Sequence, residues 1–304
     1  MSLPFAFVNL RKSAGISSTQ AGVAVRRRLQ AYFQERGYEG KLPLGHFGTL
    51  DPLASGVLPL AIGKATKLFP LITDRSKRYS FTLVLGTSTT TGDEAGEPLA
   101  SSPIPEGAEE SLRAALPAFH GPQQQIPPMV SALKHSGRRL YELARAGLVV
   151  ERAARTVKIF ALEFLGVAST PSPGLGLRLR VECSEGTYVR TLCEDLATAI
   201  GTCGHMRALL REAAGPFRLD SARSIEEILE DPGAALLDPR AVLPFSEVRL
   251  EGEELRRFRQ GQRIAMRIAA EPTLFVTTCE AGERVVAGLA SLEGDRLVPL
   301  SVFH

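Results

Sequence analysis

A single carboxylate set in an apolar, glycine-rich stretch is the most chemically suggestive arrangement in this sequence. Residues 45–59 read Gly-His-Phe-Gly-Thr-Leu-Asp-Pro-Leu-Ala-Ser-Gly-Val-Leu-Pro, and His46 and Asp51 are its titratable side chains. Gly45, Gly48 and Gly56 permit backbone shapes and close approaches that a Cβ forbids. Pro52 drives Asp51 towards an extended or turn conformation and has no N–H of its own. The stretch is therefore expected to be a stiff, apolar-walled loop presenting one carboxylate, a group suited to act as nucleophile or base. Taken alone it reads more simply as an Asp-Pro turn beside a structural histidine.

Two other stretches place reactive side chains on regular elements. Residues 77–85 alternate, with Tyr79, Phe81, Leu83 and Leu85 on one face of a strand. Tyr79, at the strand mouth, suits a core aromatic with its hydroxyl satisfied. Further on, Gly186-Thr187-Tyr188-Val189-Arg190 opens a helix whose buried face is expected to be Val189, Leu192, Leu196 and Ala199, with Gly201 as its stop. Arg190 and Glu194 stand four residues apart, the spacing of a plain helix ion pair.

Composition narrows the classes. The chain has 304 residues, 44% hydrophobic and 23% charged, which fits one large globular domain plus a small one. A net charge of +3 does not announce a polyanion partner. Basic clusters at Arg26-Arg27-Arg28, at Arg75 with Lys77-Arg78, and at Lys134 with Arg138-Arg139 can still track phosphates locally. For the first cluster a solvated helix face is the simpler reading. The four cysteines make no C-x-x-C pair and have no histidine at ligand spacing, so neither a zinc site nor a disulfide framework is expected. No apolar run approaches the ~20 residues of a membrane helix, and no secretory leader is expected; the cytoplasm is the default.

The other elements follow from periodicity. Phe7 to Leu10 reads as a strand. Ser17 with Gln20 forms a capping box ahead of a helix to about Phe33. Residues 57–62 form a buried apolar run, and Gly63-Lys64 opens another helix. A phosphate-binding P-loop is excluded, because Leu58 stands where its first glycine belongs and Ala65 follows the lysine. Residues 112–119 suggest an amphipathic helix, and 157–167 and 177–183 suggest strands. Residues 231–244 read as a linker with a short helix. A helix over 251–260 and four short strands follow it. Strands interleaved with helices in no regular βαβ repeat argue for an α+β fold with a mixed, mainly antiparallel sheet flanked by helices.

The loop at 45–59 resembles the signature of TruB-type pseudouridine synthases, G-H-x-G-T-L-D-P-x-A-x-G-V-L-P, and residues 186–190 match the family's G-T-Y-[IV]-R. Looser matches extend the resemblance over essentially the whole chain. Lys12, Gly15 and Ser18 fit K-P-x-G-x-T-S, although Ser13 and Ser17 replace Pro and Thr, which predicts a less rigid loop. Lys77-Arg78-Tyr79 fits K-R-Y, Asp93 and Gly96 fit T-x-T-x-D-x-x-G, and residues 127–147 and 204–211 fit two further segments. The resemblance implies isomerisation of uridine 55 in the T-loop of tRNA. Asp51 is then catalytic, Arg190 pairs with it, Tyr79 stacks on the base, and Tyr188 and Leu209 line the pocket. His46 fills the space the flipped base leaves. Lys12, Lys134, Arg138 and Arg139 become substrate contacts, and Arg211 an RNA or structural contact. Whether Asp51 attacks sugar or base, or removes a sugar proton, stays open. No cofactor, metal or nucleotide is implied, and the partner is tRNA, met at T-loop and acceptor arm by a monomer. The implied organisation is a catalytic domain over 1–243, with a tRNA-binding insertion at about 101–150, and a PUA-like RNA-binding domain over 244–304. The alternatives are a non-catalytic RNA-binding protein, a subunit of a guide-RNA complex, or a hydrolase built on Ser17, His46 and Asp51. No G-x-S-x-G elbow supports the last.

Overall fold

A computed structural model describes residues 3–131, 133–135, 137–148, 150–170, 174–266, 272–280 and 282–303, with only the backbone of Lys134, His135, Arg139, Tyr141 and Arg145. Strand β1 (Phe5–Lys12) leads into helix α1 (Ser18–Gln34), whose N-cap Ser17 forms the expected capping box with Gln20. Strand β2 (Leu44–His46) precedes the catalytic-type loop, and β3 (Ser55–Gly63) follows it. Residues Lys64–Leu71 form the expected helix, as a 3₁₀ helix. Pro70 inside it removes a backbone donor and clashes with an α-helical turn.

Next come β4 (Lys77–Leu85), a hairpin of β5 (Thr87–Thr89) and β6 (Pro98–Ser101), helix α2 (Ala108–Ala115), and β7 (Gly121–Gln125). A second small hairpin pairs β8 (Lys134–His135) with β9 (Arg138–Arg139) ahead of α3 (Leu140–Arg145). Strands β10 (Arg155–Ala168) and β11 (Leu175–Cys183) then lead to α4 (Val189–Ala199), β12 (Gly204–Ala214) and β13 (Phe217–Arg218). Among the described residues these form a nine-stranded sheet in the order β1-β3-β12-β4-β11-β10-β7, with β2 and β13 attached to β3 and β12. Its pairings are antiparallel except β12 with β3, so the mixed, mainly antiparallel sheet is as expected.

Both faces of β1 and β3 are buried, which is why they read as continuous apolar runs. Val8, Leu10, Leu58, Leu60 and Ile62 meet Val25, Leu29 and Phe33 of α1 on one side. Phe7, Val57 and Ala61 face a second cluster on the other. Strands β4 and β11 send Tyr79, Phe81, Leu83, Leu177, Leu179 and Val181 into the first core. Helix α4 buries Val189, Leu192, Cys193, Leu196 and Ala197, whereas Ala199 is exposed.

After α5 (Ile225–Glu230), the segment expected to be a linker is instead packed. Leu237 exchanges two backbone hydrogen bonds with Phe7 of β1, and Ala235 is buried, so this stretch extends the sheet edge. Helix α6 (Pro239–Val242) ends it. The last unit holds β14 (Ser246–Arg249), α7 (Gly252–Arg259), β15 (Ile264–Ala265), β16 (Thr273–Glu280), β17 (Glu283–Glu293) and β18 (Arg296–Val302). Its five strands run in the order β14-β16-β17-β18-β15. No helix among the described residues is long and apolar enough to cross a membrane.

Candidate active site

The loop between β2 and β3 is held at nearly every turn. Ser18, at the start of α1, donates from Oγ to the Leu50 carbonyl at 2.9 Å and accepts from the Leu50 N–H at 2.8 Å. The Gly15 N–H and the Lys12 ammonium both donate to the Pro52 carbonyl, at 2.8 and 3.2 Å. Arg211 of β12 donates to the carbonyls of Gly48, Thr49 and Val57, at 3.0, 3.3 and 2.7 Å, and so ties the two ends of the loop together. Gly56 has φ +106, and a Cβ there would lie 2.2 Å from the Arg211 carbonyl. Only glycine fits where β3 and β12 approach in parallel. The segment carrying Ser13 and Ser17 is thus bonded to the loop it supports, despite the departures from the family pattern.

Arg190 enters from α4. Its Nη2 lies 3.0 Å from Asp51 Oδ2, its Nε 3.8 Å from Asp93 Oδ2, and it donates to the carbonyls of Thr91 and Val130 at 3.0 and 2.7 Å. The helix pair with Glu194 is not what it makes. Arg190 and Asp93 side chains are 4% and 10% exposed, while Asp51 is 37% exposed. The carboxylate therefore faces open space while its partner is fixed.

That space is a cavity of about 470 Å³ lined by Asp51, Tyr79, Tyr188, Arg190, Leu209 and Lys77 among others. A larger cavity of about 840 Å³ lies beyond the loop, and His46 and Asp51 line both. Burial raises the Tyr79 and Tyr188 hydroxyl pKa values, with nearby arginines opposing. Burial, helped by Arg211, lowers the His46 pKa and favours the neutral ring; its Nδ1 has no hydrogen-bond partner among the described residues. Leu209 owes its aim to a break in β12. Register shifts between Arg207 and Leu210, and Ala208 sits at φ 52, a strained value for a non-glycine residue.

The TruB family pseudouridylate synthase N-terminal domain matches residues 38–189, and the tRNA pseudouridylate synthase B C-terminal domain matches residues 190–236. The chain belongs to the TruB family of pseudouridylate synthases. It is 42% identical over 266 residues to tRNA pseudouridine synthase B of Aromatoleum aromaticum, covering 86% of this chain and 80% of that protein. It is 39% identical over 307 residues to tRNA pseudouridine synthase B of Ralstonia pickettii, covering 97% and 93%. A crystal structure of a Cbf5-Nop10-Gar1 complex aligns with a TM-score of 0.65 at 21% identity, covering 99% of this chain and 85% of that one. A structure of an H/ACA RNP bound to a substrate RNA containing 2′-deoxyuridine aligns at 0.63 and 20%, with the same coverage. These two share the fold. As a family member, the chain is an isomerase that forms pseudouridine from uridine.

The two signatures, far apart in sequence, thus meet in one cavity at Asp51 and Arg190. Lys12 is a correction. It is fully buried, and its Nζ donates to the carbonyls of Ser13, Ile16 and Pro52, so it supports the loop and does not reach a substrate. Of the two roles open to Arg211, its 1% exposure and three carbonyl partners match the structural one. Arg138 is exposed on its hairpin, while the side chains of Lys134 and Arg139 lie outside the described residues. Sequence reasoning missed Ser18 as the anchor of Leu50 and Lys77 as a cavity-lining cation; the K-R-Y match was the available signal for the latter.

Proposed function

We propose that the chain converts uridine 55 in the T-loop of tRNA to pseudouridine, with Asp51 as the catalytic carboxylate. The observation that carries this reading is the 3.0 Å pair of Arg190 with a half-exposed Asp51 in a cavity walled by Tyr79, Tyr188 and Leu209. In the reaction the N1–C1′ bond of uridine breaks, the base turns, and C5 bonds to C1′. The C5 proton leaves to solvent and N1 regains one, so nothing is oxidised or added.

Each residue has a part in that sequence. Asp51 supplies the carboxylate, and the Arg190 guanidinium pairs with it at 3.0 Å and fixes its orientation. Because Arg190 is already fixed by two carbonyls and Asp93, no reorganisation is needed when substrate arrives. Tyr79 offers a ring on which a flipped uracil stacks. Tyr188 and Leu209 close the walls and exclude water. Extracting the base costs a few kcal/mol, part of which the His46 ring offsets by filling the vacated space. Arg138, exposed on the small β8–β9 hairpin, contacts phosphates, a part that Lys134 and Arg139 of the same hairpin share.

The five-stranded unit with α7 supports reading 244–304 as a PUA-like RNA-binding domain that meets the acceptor arm. Residues 1–243 then form the catalytic domain, with the insertion at about 101–150 gripping the T-loop. One chain suffices for the reaction, and with tRNA as substrate the reaction belongs to the cytoplasm. Tritium release tests the assignment of Asp51. With tRNA carrying tritium at uridine C5, the unsubstituted protein should release the label of a single uridine per tRNA. Asp51→Asn should bind tRNA with near-unchanged affinity and release none; turnover by that variant would remove Asp51 from its role.

A further inference from the structure

Lys77 is a buried cation for which the mechanism above has no use. It opens β4 two residues before Tyr79, so the two side chains share a face of the strand about 7 Å apart. The residue is 6% exposed, yet it lines the same cavity as Asp51. Its Nζ lies 3.8 Å from the centroid of the Phe47 ring and has no hydrogen-bond partner among the described residues. A buried ammonium without an acceptor is unfavourable, and one aromatic face offsets only part of the penalty.

The groups around it do not fill the gap. Arg75 and Asp74 approach from the segment before β4, Glu185 from the segment after β11, Arg211 from β12, and Cys183 from the paired position on β11. Glu185 is already engaged by Arg75 through bonds of 2.8 and 2.9 Å, Asp74 accepts from Ser76, and Arg211 is held by carbonyls. Glu185 thus compensates Arg75 and the Arg211 donors are taken, which leaves the Lys77 donors unspent beside Phe47.

We propose that Lys77 binds a phosphate of the nucleotide inserted into this cavity, an inference that rests on the pseudouridine-synthase reading of the site. A uridine that leaves its stack brings its backbone with it, so a phosphodiester anion reaches the cavity when the base reaches Tyr79. Three ammonium donors with no protein acceptor match phosphate oxygens. Burial pushes the Lys77 ammonium down to about 7, with Arg211 adding to the fall and Glu185 opposing it. A bound phosphate raises it again, so binding takes up a proton. Below pH 7 the lysine is charged already and affinity is full. Above pH 7 affinity falls, by up to about tenfold per pH unit.

The test is binding of a T-arm RNA to the Asp51→Asn protein, with and without Lys77→Met, as a function of salt and pH. The expected result is that Lys77→Met reduces the slope of log affinity against log salt by about one and removes the decline above pH 7. An RNA with neutral methylphosphonates flanking the target uridine should likewise abolish the decline while Lys77 is present. An unchanged salt slope in Lys77→Met would overturn the proposal. So would a Lys77→Met deficit that persists with the methylphosphonate RNA, which would assign the ammonium to the base. If Lys77→Met fails to fold, the methylphosphonate comparison decides alone. Tritium release by the unsubstituted protein reports on the underlying function separately, so the two failures are distinguishable.

Discussion

Arg190 is fixed and buried while Asp51 faces the cavity, so at the residue scale their pairing is asymmetric: the protein holds the cation and leaves the carboxylate open to the cavity. Replacing Arg190 leaves Asp93, nearly buried, without its cation, and frees the Thr91 and Val130 carbonyls. Arg190→Ala is predicted to slow single-turnover pseudouridine formation on the order of a hundredfold or more. It should also lower the melting temperature, because a buried carboxylate loses its partner. Unchanged turnover would contradict the role given to the pair. Asp51 was legible in the sequence from the loop signature, Tyr188 and Arg190 from the helix-opening signature, and Tyr79 and Leu209 from the looser matches at 77–79 and 204–211. The burial of Lys12 was not legible, because a sequence displays charge and hides depth, and Arg211 takes the structural one of the two roles that the sequence left open. Both are spent on backbone carbonyls of the very loop they were expected to work beside.

At the scale of elements, the loop is positioned by its neighbours rather than by its own propensities. Ser18 satisfies both backbone groups of Leu50 from a buried hydroxyl. Ser18→Ala is predicted to cost about 1–3 kcal/mol of stability, the penalty for buried unsatisfied backbone groups, and to lower kcat with little effect on tRNA affinity. Chemical denaturation and single-turnover kinetics check the two halves. Gly56→Ala forces a Cβ into the Arg211 backbone at a positive φ. It should destabilise the β3–β12 junction by several kcal/mol and yield little folded protein, read by circular dichroism. Capping and alternation made α1, β4 and β11 readable from sequence. The packed segment after α5 was not readable, since its bonds to β1 join residues 230 positions apart.

At the scale of the whole molecule, the C-terminal sheet packs against the nine-stranded sheet through a shared apolar cluster. Phe275 and Phe303 pack against Phe5, and the same apolar cluster includes Phe7, Val57, Phe217 and Phe47, which sits in the Asp51 loop. Removing 244–304 is therefore predicted to expose an aromatic cluster and give an aggregating, inactive chain. A soluble truncated protein with full turnover would contradict this. Net charge said little about the partner, because cavity arginines and lysines are balanced by carboxylates elsewhere on the surface. The most direct test of the account is position-by-position mapping of pseudouridine in an unmodified tRNA transcript treated with the purified chain in the presence of EDTA. Product confined to uridine 55, and lost in Asp51→Asn, is the predicted result. Product at other uridines, or none despite tight binding, would contradict it.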